Sequence, residues 1–445
     1  MKGIRKVIQI ALAVLMIISA AAVLTFTGCG GGDGGPTGNE TIKIKYASTL
    51  PHLPSYWGAP SSVNSDLDWE EAIETVTEGR IDLEIYYSET LCKENLAYDA
   101  VDAGIAQMAW VIAGYQPEWV PLEHIWYLPI DMDCLEMNYQ IHSHVYEDYL
   151  YPDYEERGMI CVSALGREKY VIFSPYKPLY TLEDFKGLTM MASGISVTEL
   201  ANKLGALSVS CPWSDAYEAL SKGQIECAIL DITLPILFNW HEMGDPGWII
   251  DVGGFGNAMP TYVMLEDFFE SMRPEDAYAF VKLTDYWRGV RGCQGGDAGN
   301  HLYWLEVPRL GMEFIDWPES EKEKLRELKL EVYDWWVDWM EAEYGHGEQA
   351  EELLEVVLQE MEDFEPGNKV PLNPASFPDE ALREELRSAG FIVDQEAWDE
   401  VAGPDGHWGM DFVYEDDFEP WYEKWWDEQN MEHPWYSAWK ARHGK

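Results

Sequence analysis

The sequence predicts an α/β protein in which mostly parallel strands alternate with helices. Three observations carry that expectation. Short apolar or alternating runs recur between helical stretches, and glycines punctuate the helix-to-strand turns. Roughly 400 residues follow the N-terminal leader, enough for two lobes and an additional segment.

Taken in order, residues 41–47 (TIKIKYA) alternate polar and apolar, as a strand half-buried at the start of a sheet does. Residues 69–77 read as a helix, and Gly79-Arg80 turns into a second alternating strand at 81–87. A helix at 96–103 stops at Gly104 and leads into an apolar strand at 105–111. The pattern resumes with strands at 159–164 and 170–173, a short helix at 182–187, a strand at 188–192, and a helix at 197–204 closed by Gly205. A short strand at 207–211 precedes a helix from Trp213 to Lys222, with Ser214 or Asp215 placed to cap it. Residues 224–230 form one more buried strand. Two long helices are predicted at 274–288 and 320–344, the latter rich in Glu and Lys at helical spacing. Beyond Glu365 the composition shifts. Four prolines (Pro366, Pro371, Pro374, Pro378) precede a short helix at 379–388 and a tail holding seven tryptophans, so 366–445 reads as an acidic, Trp-rich extension. Those tryptophans could wrap the second lobe or form a docking patch for a partner.

The N-terminus reads as an export signal. Lys2, Arg5 and Lys6 precede an apolar run from Val7 to Ala22, and the small pair Thr27-Gly28 comes just before Cys29. Phe26-Thr27-Gly28-Cys29 resembles a bacterial lipobox, with Phe where Leu is usual. It implies cleavage after 1–28 and lipidation of Cys29; the alternative is a signal anchor or an ordinary secretory signal with an incidental cysteine. Residues 29–40 hold six glycines between Gly30 and Gly38, a flexible tether that builds no core. The mature protein is therefore expected outside the cytoplasm, periplasmic or otherwise extracytoplasmic, as a membrane-anchored lipoprotein.

Eighty acidic residues against thirty basic give a net charge of −50. Phosphate binding needs basic patches, so nucleic acid is excluded as a partner. The acidity, spread along the chain, fits solubility in a salty exterior; a field attracting a cationic ligand is the alternative. Six of the seven cysteines lie beyond the lipobox, scattered and without metal-ligand spacing, so no metal or cofactor is expected.

Several blocks stand at fixed spacing: Glu78-Gly79-Arg80 with its strand, Ala100 to Gly104 with Gln107-Met108-Ala109-Trp110, and Thr181-Leu182-Glu183-Asp184-Phe185-Lys186-Gly187-Leu188. The most specific block is Lys203-Leu204-Gly205-Ala206, Pro212 to Leu220, and Gly223-Gln224-Ile225-Glu226. On these blocks residues 41–365 resemble the DctP-like solute receptors of tripartite ATP-independent periplasmic (TRAP) transporters. The resemblance implies a two-lobed periplasmic-binding-protein fold (type II-like), with interleaved lobes joined by hinge strands and a long connecting helix. The family usually has an arginine that clamps a solute carboxylate where this sequence has Met191, and its Asp-Gly pair is Glu226-Cys227 here.

If the likeness holds, four regions line the cleft: His52, Tyr56 and Trp57 after the first strand; Trp110; Arg167, Tyr170 and Met191; and Trp213, Tyr217 and Asp231. Each has a plainer reading. The tryptophans could be core, His52 and Arg167 solvated, and Asp231 paired internally. Met191 beside Met190 suggests an adaptable apolar wall. The resulting expectation is a solute-binding receptor, not an enzyme, that captures a small organic solute and delivers it to TRAP permease subunits. The competing readings are an anchored surface hydrolase and a sensor or interaction module. No G-x-S-x-G, H-E-x-x-H or phosphate loop supports catalysis.

Overall fold

A computed structural model describes residues 41–49, 63–211, 213–244, 246–366, 371–372, 374, 377 and 379–402, all within the compact unit Glu40–Lys445. The expected signal, Cys29, the tether, the loop with His52, Tyr56 and Trp57, and the end of the tail fall outside the described residues.

Eleven strands among the described residues form two sheets. Strands β1 (Ile42–Ala47), β2 (Ile81–Tyr86), β3 (Met108–Val111), β4 (Met159–Ala164) and β10 (Thr261–Leu265) make the first, in the order β2-β1-β3-β10-β4. Strands β5 (Val171–Ser174), β6 (Thr189–Met191), β7 (Leu207–Val209), β8 (Cys227–Leu230), β9 (Trp248–Ile250) and β11 (Glu313–Ile315) make the second, ordered β11-β9-β5-β8-β6-β7. β1 and β2 pair in parallel from Ile42 opposite Ile81 to Ala47 opposite Tyr86. That register sets Lys43 against Asp82 and Glu84, at 3.0 and 2.6 Å. β4 and β8 are buried on every residue, as strands covered on both faces must be.

The chain passes between the sheets several times. Residues 165–170 carry it from β4 to β5, and 251–260 carry it back from β9 to β10. These segments hold each other: Tyr170 N donates to Gly256 O (2.8 Å), Phe255 N to Tyr170 O (3.1 Å) and Leu165 N to Pro260 O (2.9 Å). A rod then runs from Pro274–Thr284 through a wider π-type turn, Asp285–Val290, into the helix Arg291–Arg309 and on to β11. The helix Glu319–Tyr344 returns, burying Leu325, Lys329, Val332, Trp336 and Met340 along one face. Its Tyr333 and Tyr344 hydroxyls donate to Pro129 O and Pro117 O of the first lobe (3.2 and 3.4 Å), while Glu331 holds Lys203 of the second (3.0 Å).

The rod corrects the expected helix at 274–288, which continues to Arg309. Its glycines make room for a neighbour. A Cβ at Gly289 would lie 2.3 Å from the Tyr139 ring, and one at Gly296 2.3 Å from Leu135 Cδ2, so their absence lets the helix Leu135–Val145 press against the rod. The helix expected from Trp213 to Lys222 spans Trp213–Ser221, which puts Ser214 and Asp215 inside its first turn and not at its cap. Beyond residue 366, Leu372, Phe377, Leu386 and Val393 cluster with Ala298 and Leu302 of the rod, and Arg291 lies over the Trp287 and Trp398 rings at 4.4 and 5.0 Å.

Candidate ligand site between the lobes

Loops at the carboxyl ends of strands from both sheets converge. From the first sheet come Thr49 after β1, Glu94 after β2 and Tyr115 after β3; from the second come Ser193 and Ser196 after β6, Cys211 after β7 and Asp231 after β8. In open α/β sheets this edge is where ligands sit, because the side chains beyond the last ladder hydrogen bonds point into one crevice. Tyr127 marks the place where the lobes meet. A Cβ at Gly114, just past β3, would fall 2.6 Å from Cε1 of its ring, and a Cβ at Gly194, just past β6, 2.6 Å from the adjoining Cδ1. A glycine in each loop lets both loops approach one ring closely, and Gly194 has φ +96°, open to glycine at little strain.

Several buried polar atoms here lack a hydrogen-bond partner: Glu94 Oε1, Thr49 Oγ1, the Tyr115 and Tyr127 hydroxyls, and Ser196 Oγ. Thr49 lies beside Glu94, Tyr115 beside Ser193, and Tyr127 beside the Gly114 backbone, all short of full hydrogen-bond geometry. Burying an unpaired polar group costs about 1–3 kcal/mol, so a concentration of them at one locus marks a place built to receive a polar molecule. Burial, with the charge of Glu89 adding to it, pushes the Glu94 carboxyl up to about 8.

On the crossover beside this locus, Arg167 Nη2 donates to Asp231 Oδ2 (2.8 Å) and Thr233 Oγ1 (3.3 Å), and its Nε lies 3.7 Å from Glu168 Oε2. Burial opposes the guanidinium charge, but Glu168 and Asp231 together outweigh it and raise its pKa. Glu168 is itself raised, by burial first. Asp231 also accepts from Leu234 N (3.2 Å) and from the Thr233 hydroxyl. Asn138 fixes the crossover, donating to Arg167 O (2.8 Å), and accepts from Asn257 (2.8 Å) on the other crossing segment. At the outer side of the hinge Lys169 lies 3.4 to 3.6 Å from Asp131, Asp133 and Asp251, and Lys329 donates to Gly253 O.

Of the residues expected from sequence, the structure brings together Arg167, Tyr170 and Asp231. Tyr170 is buried against Gly256, and its hydroxyl pKa is raised well above the ordinary value by burial, with Tyr127, Asp231 and Tyr115 contributing. Met191 requires a correction: it is 1% exposed and belongs to the second lobe's core cluster with Val171, Ala216 and Ala228, so it forms no open wall. Trp110 is likewise buried, its ring 6.3 Å from Tyr262 in the first lobe's aromatic core. Tyr217 is 42% exposed on its helix, and the Trp213 side chain lies outside the described residues, as do His52, Tyr56 and Trp57. Sequence reading missed Glu94, Tyr115 and Tyr127. Tyr115 had one available signal, its position four residues past a fully apolar strand.

Among the described residues no cluster of His, Cys, Asp or Glu could hold a metal ion, and no helix is long and apolar enough to cross a membrane. The six cysteines from Cys92 to Cys293 are free thiols.

Residues 60–244 match the family described as bacterial extracellular solute-binding protein, family 7 (DctP). Over that stretch the chain is similar to this DctP family. A C4-dicarboxylate-binding periplasmic protein DctP of Rhodobacter capsulatus is 28% identical over 259 residues, 56% of this chain and 74% of that protein. A solute-binding protein of Albidiferax ferrireducens is 25% identical over 204 residues, 46% of this chain and 60% of that one. Two solved structures share the two-lobed fold. A marine-metagenome TRAP solute-binding protein in complex with 3-hydroxybenzoate has a TM-score of 0.64 at 19% identity, covering 74% of this chain and all of its own. The sugar-acid-binding DctPAm of Advenella mimigardefordensis, in complex with galactonate, has a TM-score of 0.62 at 12% identity, covering 72% and 99%. The fold of this chain is thus mixed α/β and two-lobed, as in these solute-binding proteins.

Proposed function

We propose that this protein captures a small organic solute between its two lobes and hands it to TRAP permease subunits in the membrane. The convergence of buried, unpartnered polar groups from the strand ends of both sheets carries this reading. A solute there supplies hydrogen bonds that neither lobe supplies to the other, and the paired crossings at 165–170 and 251–260 let the lobes part and close around it. Positioned dipoles and aromatic surface suffice for reversible capture, with no covalent step. Relatives bind aromatic acids, sugar acids and dicarboxylates by their names; this chain's ordinary clamp position, Met191, is apolar and buried.

The test is thermal melting and tryptophan fluorescence of the purified protein against a solute panel. A solute present at one hundred times its Kd should stabilise the protein by about 2.7 kcal/mol and be recovered unchanged. Chemical turnover of a bound solute would overturn the reading. We also infer that Cys29 is lipidated and tethers the receptor near its permease, raising the effective concentration of the loaded form. Cys29→Ser should move the protein from the membrane pellet to the soluble fraction; unchanged sedimentation would refute the anchor.

A further inference from the structure

We propose that the solute is an organic cation, whose ammonium group sits between the Glu94 carboxylate and the rings of Tyr115 and Tyr127. This inference rests on the capture reading and specifies its cargo.

The charge around the strand ends points this way. Three buried carboxylates, Glu94, Glu168 and Asp231, stand at or beside the locus. Of the nearby cations, Lys93 pairs with Glu89 at 2.6 Å, Lys169 faces three aspartates at the hinge, and Arg167 holds Asp231 through Nη2 while its Nε, 3.7 Å from Glu168, makes no hydrogen bond. Among the described residues no cation pairs with Glu94. Its side chain is 5% exposed, Oε1 has no partner, and its backbone N–H is fixed to Glu89 Oε1 at 3.0 Å, which holds the carboxyl in place.

The neighbouring groups are of the right kind for a cation. Tyr115 and Tyr127 lie within electrostatic range of Glu94 and of each other, and Tyr170 lies within range of both tyrosines. Aromatic faces attract an ammonium, and phenol and serine oxygens accept its N–H donors. Among the described residues, the groups facing Glu94 are Glu89 on its own loop, Thr49 after β1, and the two tyrosines.

Glu94 is largely protonated at pH 7 in the solute-free protein, since burial pushes it up to about 8. An arriving ammonium displaces that proton. A cation should therefore bind with release of about one proton at pH 7 and gain roughly tenfold in affinity from pH 6 to pH 7. A carboxylate would show the opposite slope.

Isothermal titration of the purified protein, in two buffers of different ionisation enthalpy, uses size-matched pairs: benzylamine against benzoate, and 1,4-diaminobutane against succinate. The expected result is an amine bound at least tenfold more tightly than its carboxylate counterpart, with proton release. Glu94→Gln should weaken the amine at least tenfold without lowering the melting temperature. Tighter carboxylate binding, absent proton release, or an amine affinity unchanged in Glu94→Gln would overturn the cation assignment while leaving solute capture standing. Proton release is read on the unmodified protein, so it decides the matter even if the variant folds poorly. Failure of every probe and of a wider solute panel to bind would remove the capture reading and this inference together.

Discussion

Replacing Asp231 with asparagine leaves the Arg167 guanidinium buried opposite one carboxylate where it now has two. The amide oxygen of the replacement would still accept from Leu234 N, so the perturbation is confined to the ion pair at 2.8 Å. Removing one partner of a buried pair costs about 3–5 kcal/mol, and Glu168, 3.7 Å from Arg167 Nε, keeps the loss near the lower end. Unfolding entropy of about 2.1 cal/mol/K per residue gives a chain of roughly 400 residues about 0.85 kcal/mol per degree, so a 3 kcal/mol loss lowers Tm by about 4 °C. Thermal denaturation followed by circular dichroism measures this directly. The double variant Arg167→Met with Asp231→Asn should recover much of the loss, because it removes the stranded charge. A drop below about 1 °C would put the pair in the range of exposed ion pairs, and the argument from burial would be wrong.

Asp153 accepts from Leu122 N at 2.9 Å, and burial pushes its carboxyl from 3.8 up to about 6. The folded state then holds this proton more tightly than the unfolded chain, so stability from this group falls as pH rises from about 4 to 6. Asp153→Asn should stabilise by roughly 3 kcal/mol at pH 7 and by almost nothing at pH 3.5, measured by urea unfolding. His124 behaves oppositely. Fully buried between the Tyr127 and Trp339 rings, it is pushed down to about 3, so stability present above pH 6.5 is lost as pH falls towards 3. His124→Leu should remove an acid-side slope worth up to roughly 5 kcal/mol; an unchanged slope refutes the assignment. Gly289→Ala would ordinarily favour a helix, by about 0.5–1 kcal/mol. Here the added methyl meets the Tyr139 ring, whose hydroxyl is anchored on Asp285 at 2.8 and 2.9 Å, so the sign should reverse to a loss of about 1–3 kcal/mol in Tm-derived stability.

Local pattern revealed most of the strands, because their burial follows from neighbours in sequence. β1 alternates as read, and β4 and β8 are continuous apolar runs. The insertion of β10 between β3 and β4 left no local trace, since the pairing of Tyr262 with Trp110 joins residues far apart in the chain. The site divides in the same way. Arg167 and Asp231 were conspicuous as a cation near the expected clamp and an acid after an apolar run, but their mutual pairing is a tertiary fact. Glu94 was one carboxylate among eighty, and only burial without a partner distinguishes it. Met191 was placed on the cleft by family position, whereas the pleat turns it inward with the lobe's core.

The place of β10 has a consequence for how the molecule is made. Neither neighbour of β10 in the first sheet can be completed until residues 261–265 have been synthesised, and the second sheet waits for β11 at 313–315. Roughly the first 260 residues therefore emerge with no finished lobe. A chain of that kind has its long-range pairings to make late, when most of it has already been synthesised. Any truncation ahead of Thr261 should yield an aggregating fragment in place of a half-receptor.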